Sequence, residues 1–394
     1  MQIPTHAPRF RRSHPLAVAC CAALLSVSAA RADGTRWDGN AEVSGYYDTD
    51  AVMVITPALQ AAAKTESGWS ASGGYLVDVV TAASVDIVST ASPRWTEVRH
   101  AGQLGAGYAF DDFGLAVHGG ASFEPDYVSF GLGGEGSYNF ANKQALLTLG
   151  YAFQHDTAGR TGTPFSEYAL RFTRHEVDTR LELVLDRATT LTAGLDVMFE
   201  AGRQEKPYRY LPLFDADVAP RVPPGASVDL VNQLRLPGRM AERLPDTRRR
   251  AAASVRLAHR FKTSTLQLWD RVYFDGWGML ANTSDARWIV DLSPSFSLWP
   301  ALRFHNQSAV TFWRRAYVGR FQDGRVDAPS FRTGDRELGR LWTASVGAGA
   351  AWALARNMRV SLELEGAYTE FPNTLYIDHR WATFAVAGFG MRFE

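Results

Sequence analysis

The chain has 394 residues, with 41 Lys and Arg against 41 Asp and Glu, and this neutrality gives no general case for nucleic-acid binding. Its two cysteines, Cys20 and Cys21, both sit near the start, which excludes disulfides and thiolate metal sites from everything after them. Abundant glycine (34 residues) with 12% aromatics is the composition of membrane barrel strands.

Residues 1–32 read as a secretory signal peptide. Arg9, Arg11 and Arg12 form a basic region, Pro15 to Ala30 an apolar stretch, and Ala30-Arg31-Ala32 a small-x-small cleavage site. The apolar stretch is too short and wrongly flanked to span a membrane as a helix. Ser13-His14-Pro15 suits a twin-arginine signal poorly, and neither cysteine has the Leu expected three positions before a lipidated Cys. Cleavage near Ala32 removes four arginines and leaves 37 basic residues against 41 acidic ones. No later apolar run approaches the ~20 residues of a membrane helix.

From Trp37 to Val80 the pattern is strand-like but irregular, with a turn at Lys64–Gly68. A tandem repeat follows, V-D-V-V-T-A-A-S at 77–84 and V-D-I-V-S-T-A-S at 85–92. Eight is even, so Asp78 and Asp86 share a face if the run is extended, ~27 Å apart. One reading makes them solvated or turn-capping residues; the other makes them a cation or partner site, although two carboxylates lack the ligand count of a Ca²⁺ site.

The segments A-S-P-R-W-T-E-V-R-H (91–100), K-P-Y-R (206–209), R-L-P-D-T-R (243–248), Y-F-D-G-W-G (273–278) and H-N-Q-S-A (305–309) carry a resemblance. Together they are similar to a domain-of-unknown-function family of proteobacterial outer-membrane β-barrel proteins. The resemblance covers roughly 40–393 and implies the barrel fold, but that family offers no established activity to carry over.

Strands are expected near 97–110, 113–123, 127–140, 144–155 and 166–185, joined by short connections at 111–112 and 141–143 that belong on the periplasmic side. The hairpin 176–202 alternates cleanly. Val177, Thr179, Leu181, Leu183 and Leu185 share one face, and Leu191, Ala193, Leu195, Val197 and Phe199 continue it. Residues 203–247 hold seven prolines and no alternation, and are read as a long extracellular loop over the mouth or into the lumen. Further strands are expected near 250–261, 263–277, 286–299, 301–317, 338–354, 357–370 and 376–393. Asp270 shares a face with Leu266, Leu268, Val272 and Phe274, which predicts a bulge there or a position near the membrane interface. The last strand puts Trp381, Thr383, Ala385, Ala387, Phe389, Met391 and Phe393 on one face, the pattern of a closing barrel strand.

Because the lipid side must be apolar, charged rows on the other face are expected to line the lumen. The hairpin supplies Glu176, Asp178, Glu182, Asp196 and Glu200, and the next strand supplies Arg250, Arg256 and Arg260. Arg303 with His305, and Arg359 with Glu363 and Glu365, add to the set. Opposed acidic and basic walls would set a field across a pore. Equally, the same groups would pair off and fill the barrel; the two arrangements look alike in sequence.

Enzymatic motifs are not recognisable. No His-x-Ser occurs, and His305 and Ser308 fall on opposite faces of a strand. The mature histidines at 100, 118, 155, 175, 259, 305 and 379 lack metal spacing, and no phosphate-binding glycine loop or nucleophile elbow appears. The expectation is therefore an all-β, transmembrane, antiparallel up-and-down barrel of 14–16 strands, one domain over 33–394, in the outer membrane of a Gram-negative bacterium. Its expected partners are outer-membrane lipid, the outer-membrane assembly machinery and small polar solutes, with no nucleic acid, cofactor, metal or catalytic residue. A porin-like passage is the first functional reading. A closed barrel acting as an envelope scaffold or receptor through its loops is the second, and a surface enzyme with an unrecognised site the third.

Overall fold

Period-two alternation marks most of the chain, and in the computed structural model sixteen strands form one closed antiparallel sheet. The structure describes residues 34–82, 95–322 and 325–393. The signal segment, Asp86 and the second copy of the tandem repeat lie outside the described residues.

The first nine strands follow in order: β1 (Thr35–Asp48), β2 (Met53–Thr65), β3 (Trp69–Ala82), β4 (Trp95–Phe110), β5 (Phe113–Glu124), β6 (Tyr127–Phe140), β7 (Ala145–Ala158), β8 (Leu170–Val184) and β9 (Thr189–Gly202). A long connection then holds two short strands, β10 (Tyr210–Phe214) and β11 (Arg239–Ala241). The barrel resumes with β12 (Thr247–Arg260), β13 (Ser264–Asp275), β14 (Leu280–Ser293) and β15 (Phe296–Gln307). A second long connection contains β16 (Tyr317–Val318), β17 (Arg320–Gln322) and β18 (Arg325–Asp327). The wall finishes with β19 (Leu341–Ala355), β20 (Met358–Glu370) and β21 (His379–Phe393). β21 pairs with β1, Trp37 opposite Phe393, and no sheet edge is left for lipid to meet.

Both terminal strands therefore end together, and the turns at 66–68, 111–112, 141–144, 185–188, 261–263, 294–295 and 356–357 lie at that same end. These turns are made by backbone that few residues tolerate. Ala141, Asn142 and Lys143 all sit in the left-handed region, at φ 51°, 55° and 63°. Gly68 adopts φ 95°, and a Cβ there would stand 2.2 Å from the Ala109 carbonyl oxygen, so only glycine fits. The strands are tilted: hydrogen-bonded partners followed from Arg36 at the terminus end lead through Ser70, Asp178 and Tyr273 to Leu341 at the other end.

The outer face is apolar. Leu104, Leu132 and Val346 are 75%, 66% and 66% exposed, a state that suits lipid and not water. Aromatic side chains bound this band at both ends. Toward the termini, Trp69, Tyr108, Phe110, Phe113, Tyr138 and Phe140 touch in sequence across β3–β6, with ring centroids 4.6 to 6.0 Å apart. Toward the loops, Phe304, Trp342, Tyr368 and Trp381 form a second line. Two such girdles are what a membrane-spanning barrel places at its two interfaces.

Several expected boundaries shift. β8 starts at Leu170 rather than 166. The strands expected at 286–299 and 301–317 are instead β14 and β15, because the chain turns at 294–295 and passes straight through Pro300. Val310 and Trp313, apolar enough to read as strand, are buried in a loop core with Leu244, Trp277 and Met279. The last strand begins at His379; Tyr376 has φ 67° and Ile377 packs in the loops against Leu341 and Phe371. Asp270 sits in mid-strand on the lipid-facing side, opposite Ser284, with no bulge. Neighbouring side chains satisfy it instead: Ser284 Oγ and Asn282 Nδ2 both donate to its carboxylate.

The connection 203–246 is not irregular throughout. β10 joins β11 and β16 in a three-stranded sheet, and Ser227 caps a short helix, Val228–Leu234, through its Oγ. Its apolar residues are spaced without period because they pack on other loops: Phe214, Val222 and Val231 form a core with Leu375 and Tyr376.

Candidate functional site

Register decides which side chains point inward. On β8, β9 and β12 the row facing away from the apolar band contains Glu176, Asp178, Glu182, Asp196, Glu200, Arg250, Arg256 and Arg260. The same rule points Arg303 and His305 on β15, and Arg359, Glu363 and Glu365 on β20, toward the lumen. Asp78 also points in, buried, and accepts from Arg99 Nε at 2.6 Å and from Thr56 Oγ1. No partner site for Asp86 can be assigned, since that residue lies outside the described ones.

The acidic hairpin and the arginine row do not oppose one another across a pore. β9 and β12 are hydrogen-bonded neighbours although a loop of more than 40 residues separates them, so the two rows share one wall. Several of these groups consequently pair. Glu200, with a side chain 1% exposed, takes both Arg174 at 3.2 Å and Arg250 at 2.8 Å. Asp196 meets Arg271 at 3.0 Å, Arg260 meets Asp291 at 2.6 Å, Arg287 meets Glu363 at 2.7 Å and Arg303 meets Asp285 at 3.6 Å. His305 is held between Thr283 Oγ1 and the Gln307 side chain.

Other inward groups stay unpaired. Among the described residues Arg256 has one hydrogen bond, to the neutral Gln267 side chain at 3.1 Å, and no carboxylate partner. Glu176, Glu182, Arg359 and Glu365 make no ion pair with described residues. Asp178 lies against Gly150, where a Cβ would come 2.2 Å from its Oδ1. The facing arc is built differently: Ala58, Gly74, Gly105, Ala116, Gly120 and Gly131 point inward on β2–β6. Small side chains there keep the lumen from being filled from that side. Hollows of about 400, 360, 500 and 280 Å³ remain along the inner wall.

The mouth is covered. Tyr208 of the first long loop donates to Asp126, in the turn between β5 and β6, while Gly225 N donates to Thr374 O between β20 and β21 at 2.9 Å. Those turns are separated by ten wall strands one way and six the other, so the loop between them must cross the opening. A buried charged network fastens it to the second long loop. Arg209 and Lys206 both pair with Asp335; Thr333 Oγ1 donates to Glu242 Oε1 at 2.6 Å; and Lys206 N donates to Glu242 Oε2. Burial would raise the Asp335 carboxyl, but the Arg209 and Lys206 charges outweigh it and hold the group at about 2. Glu242 moves the other way, pushed up chiefly by its burial. Arg336 and Arg380 complete the cover, the first pairing with Asp50 and the second with Glu337.

Arg174, Arg271 and Arg287 were missed in the sequence although they sit on the same alternating faces as the residues picked out. The loop network had no sequence signal, since its members lie up to 129 positions apart and meet only through the two loops.

A family model described as "Protein of unknown function (DUF3570)" matches residues 85–390. The chain belongs to this family. No curated relative matches the sequence. Among solved structures, this DUF3570 member is similar to the siderophore receptor PirA from Acinetobacter baumannii (TM-score 0.44, 10% identity, 86% of this chain and 53% of that one). It thus spans about half the receptor's length. It is also similar to the outer membrane protein OpdK from Pseudomonas aeruginosa (TM-score 0.41, 10% identity, 91% and 99% covered). A third is a bacterial polysaccharide outer membrane secretin (TM-score 0.45, 8% identity, 90% and 98% covered).

Proposed function

We propose that this DUF3570 protein is a porin-like, non-enzymatic channel of a Gram-negative outer membrane, delivered by its N-terminal signal and passing small polar solutes through a charged lumen. One observation carries the reading: the inner wall keeps unpaired charges beside open hollows of about 360 to 500 Å³, while an arc of Gly and Ala lines another part of the wall. A barrel built only as a scaffold would gain by pairing or filling these positions. The cover over the mouth makes it a narrowed entry for small solutes, with Arg256 and Arg260 in the wall beneath.

A second reading has its own support. Loops that bury Phe214, Val222 and Phe371 and cross the opening offer a preorganised outer surface, which suits a closed barrel that binds envelope partners.

Planar-bilayer recording separates the two. Refolded protein should give steady conductance, and Arg256→Glu with Arg260→Glu should shift ion selectivity toward cations. Silence from a demonstrably folded barrel would exclude the channel and favour the loop surface.

A further inference from the structure

We infer that the hollow beside Arg256 is a binding site for a small zwitterion of about tripeptide length. The inference rests on the channel reading but makes a separate statement about ligand chemistry.

The hollow, about 400 Å³, carries three arginines and three acids. Four of these six cancel in pairs: Arg287 with Glu363 at 2.7 Å and Arg303 with Asp285 at 3.6 Å. The two left over have opposite signs. Arg256 on β12 has only the Gln267 amide as partner, and Glu365 on β20 has neither a hydrogen bond nor an ion pair among the described residues. They line the same hollow without reaching each other. The walls are therefore neutral overall, with one guanidinium and one carboxylate unsatisfied at separate places.

That field suits a molecule that is itself neutral but charge-separated. A ligand carboxylate would take the bidentate face of Arg256, which stays free because Gln267 occupies a single Nη2. Its ammonium would lie at Glu365. Trp269, the register partner of Arg256, also lines the hollow and gives the body of the ligand an apolar, π-bearing surface beside the guanidinium. An extended chain advances ~3.3–3.6 Å per residue, so three residues separate the two charged ends by roughly 10 Å, close to the width of a rounded hollow of this volume. A pure anion would leave Glu365 as a repulsive neighbour, and a pure cation would meet Arg256 in the same way.

Calorimetric titration of the folded full chain in detergent micelles, with three probes built on one triglycine backbone, tests this. Triglycine carries both charges, N-acetyl-triglycine only the carboxylate, and triglycine amide only the ammonium. Triglycine should bind at least about tenfold more tightly than either capped probe. Arg256→Gln should remove the advantage of triglycine over its amide, and Glu365→Gln its advantage over the acetylated probe. Heat-shifted electrophoretic migration checks that both variants fold. Equal affinity for the three probes, or variants that keep the full discrimination, would overturn the site. Swelling of liposomes in arabinose, a neutral sugar, tests passage independently. Swelling without zwitterion preference would sink the site alone. Preference without swelling would keep the site and sink the channel.

Discussion

Glu200 shows how much one inward residue can carry. Its carboxylate is almost fully buried between Arg174 and Arg250, so Glu200→Gln strands two arginines in the wall. Removing one partner of such a cluster costs about 3 kcal/mol, and a lowered midpoint of denaturant unfolding should report it. Arg256→Gln, which breaks only one bond to a neutral amide, should leave the midpoint almost unchanged. The outer face offers the converse case. Asp270 stands in lipid with two hydroxyl and amide donors, and Asp270→Leu should stabilise the folded barrel in bilayers by about 1 kcal/mol. A marked loss of stability would mean that this face is not lipid-exposed. Which residues face inward was readable from period-two alternation, as at Asp196 or Glu363. Which of them pair was not, because Arg271 and Asp196, or Arg287 and Glu363, are 75 or 76 positions apart and meet only through register.

At the scale of elements, the two long loops behave as one cover tied by Arg209, Lys206, Glu242 and Asp335. The Asp335 carboxyl is held at about 2, below its unfolded value near 3.9. Its contribution to the cover is therefore fully present above about pH 4 and is lost as pH falls from there toward 2, amounting to about 2.5 kcal/mol. Glu242 has the opposite sign: its raised value means a contribution present below about pH 4.3 and lost as pH rises through the folded value. Hydrogen exchange of the loop amides should stay slow from pH 7 to about 4, after correction for intrinsic rates, and quicken below. Asp335→Asn should already show the fast exchange at pH 7. Unchanged protection in that variant would mean that apolar packing around Phe214 and Trp313 holds the cover unaided. None of this could be read from residues 203–247, where prolines and irregular spacing point to a loop. The order within it comes from partners at Tyr317, Thr333 and Leu375, which local pattern does not encode.

For the whole molecule, the fold was legible because a lipid-facing barrel imposes one rule on every strand. The run from Trp381 to Phe393, the hairpin 176–202 and the short connections at 111–112 and 141–143 all obey it. The N-terminal part was less clear: β2 and β3 carry inward Ala58, Ala62, Gly74 and Leu76, so both faces are largely apolar there and the alternation fades. The same small residues leave space inside the barrel on that side, and the proposed channel stands on that space being a passage. The most direct test is the swelling rate of liposomes containing the native chain in neutral sugars of increasing size. The account predicts swelling in arabinose that falls away steeply for a trisaccharide, because the cover narrows the entry. A correctly folded, membrane-inserted protein that admits no sugar at all would contradict it.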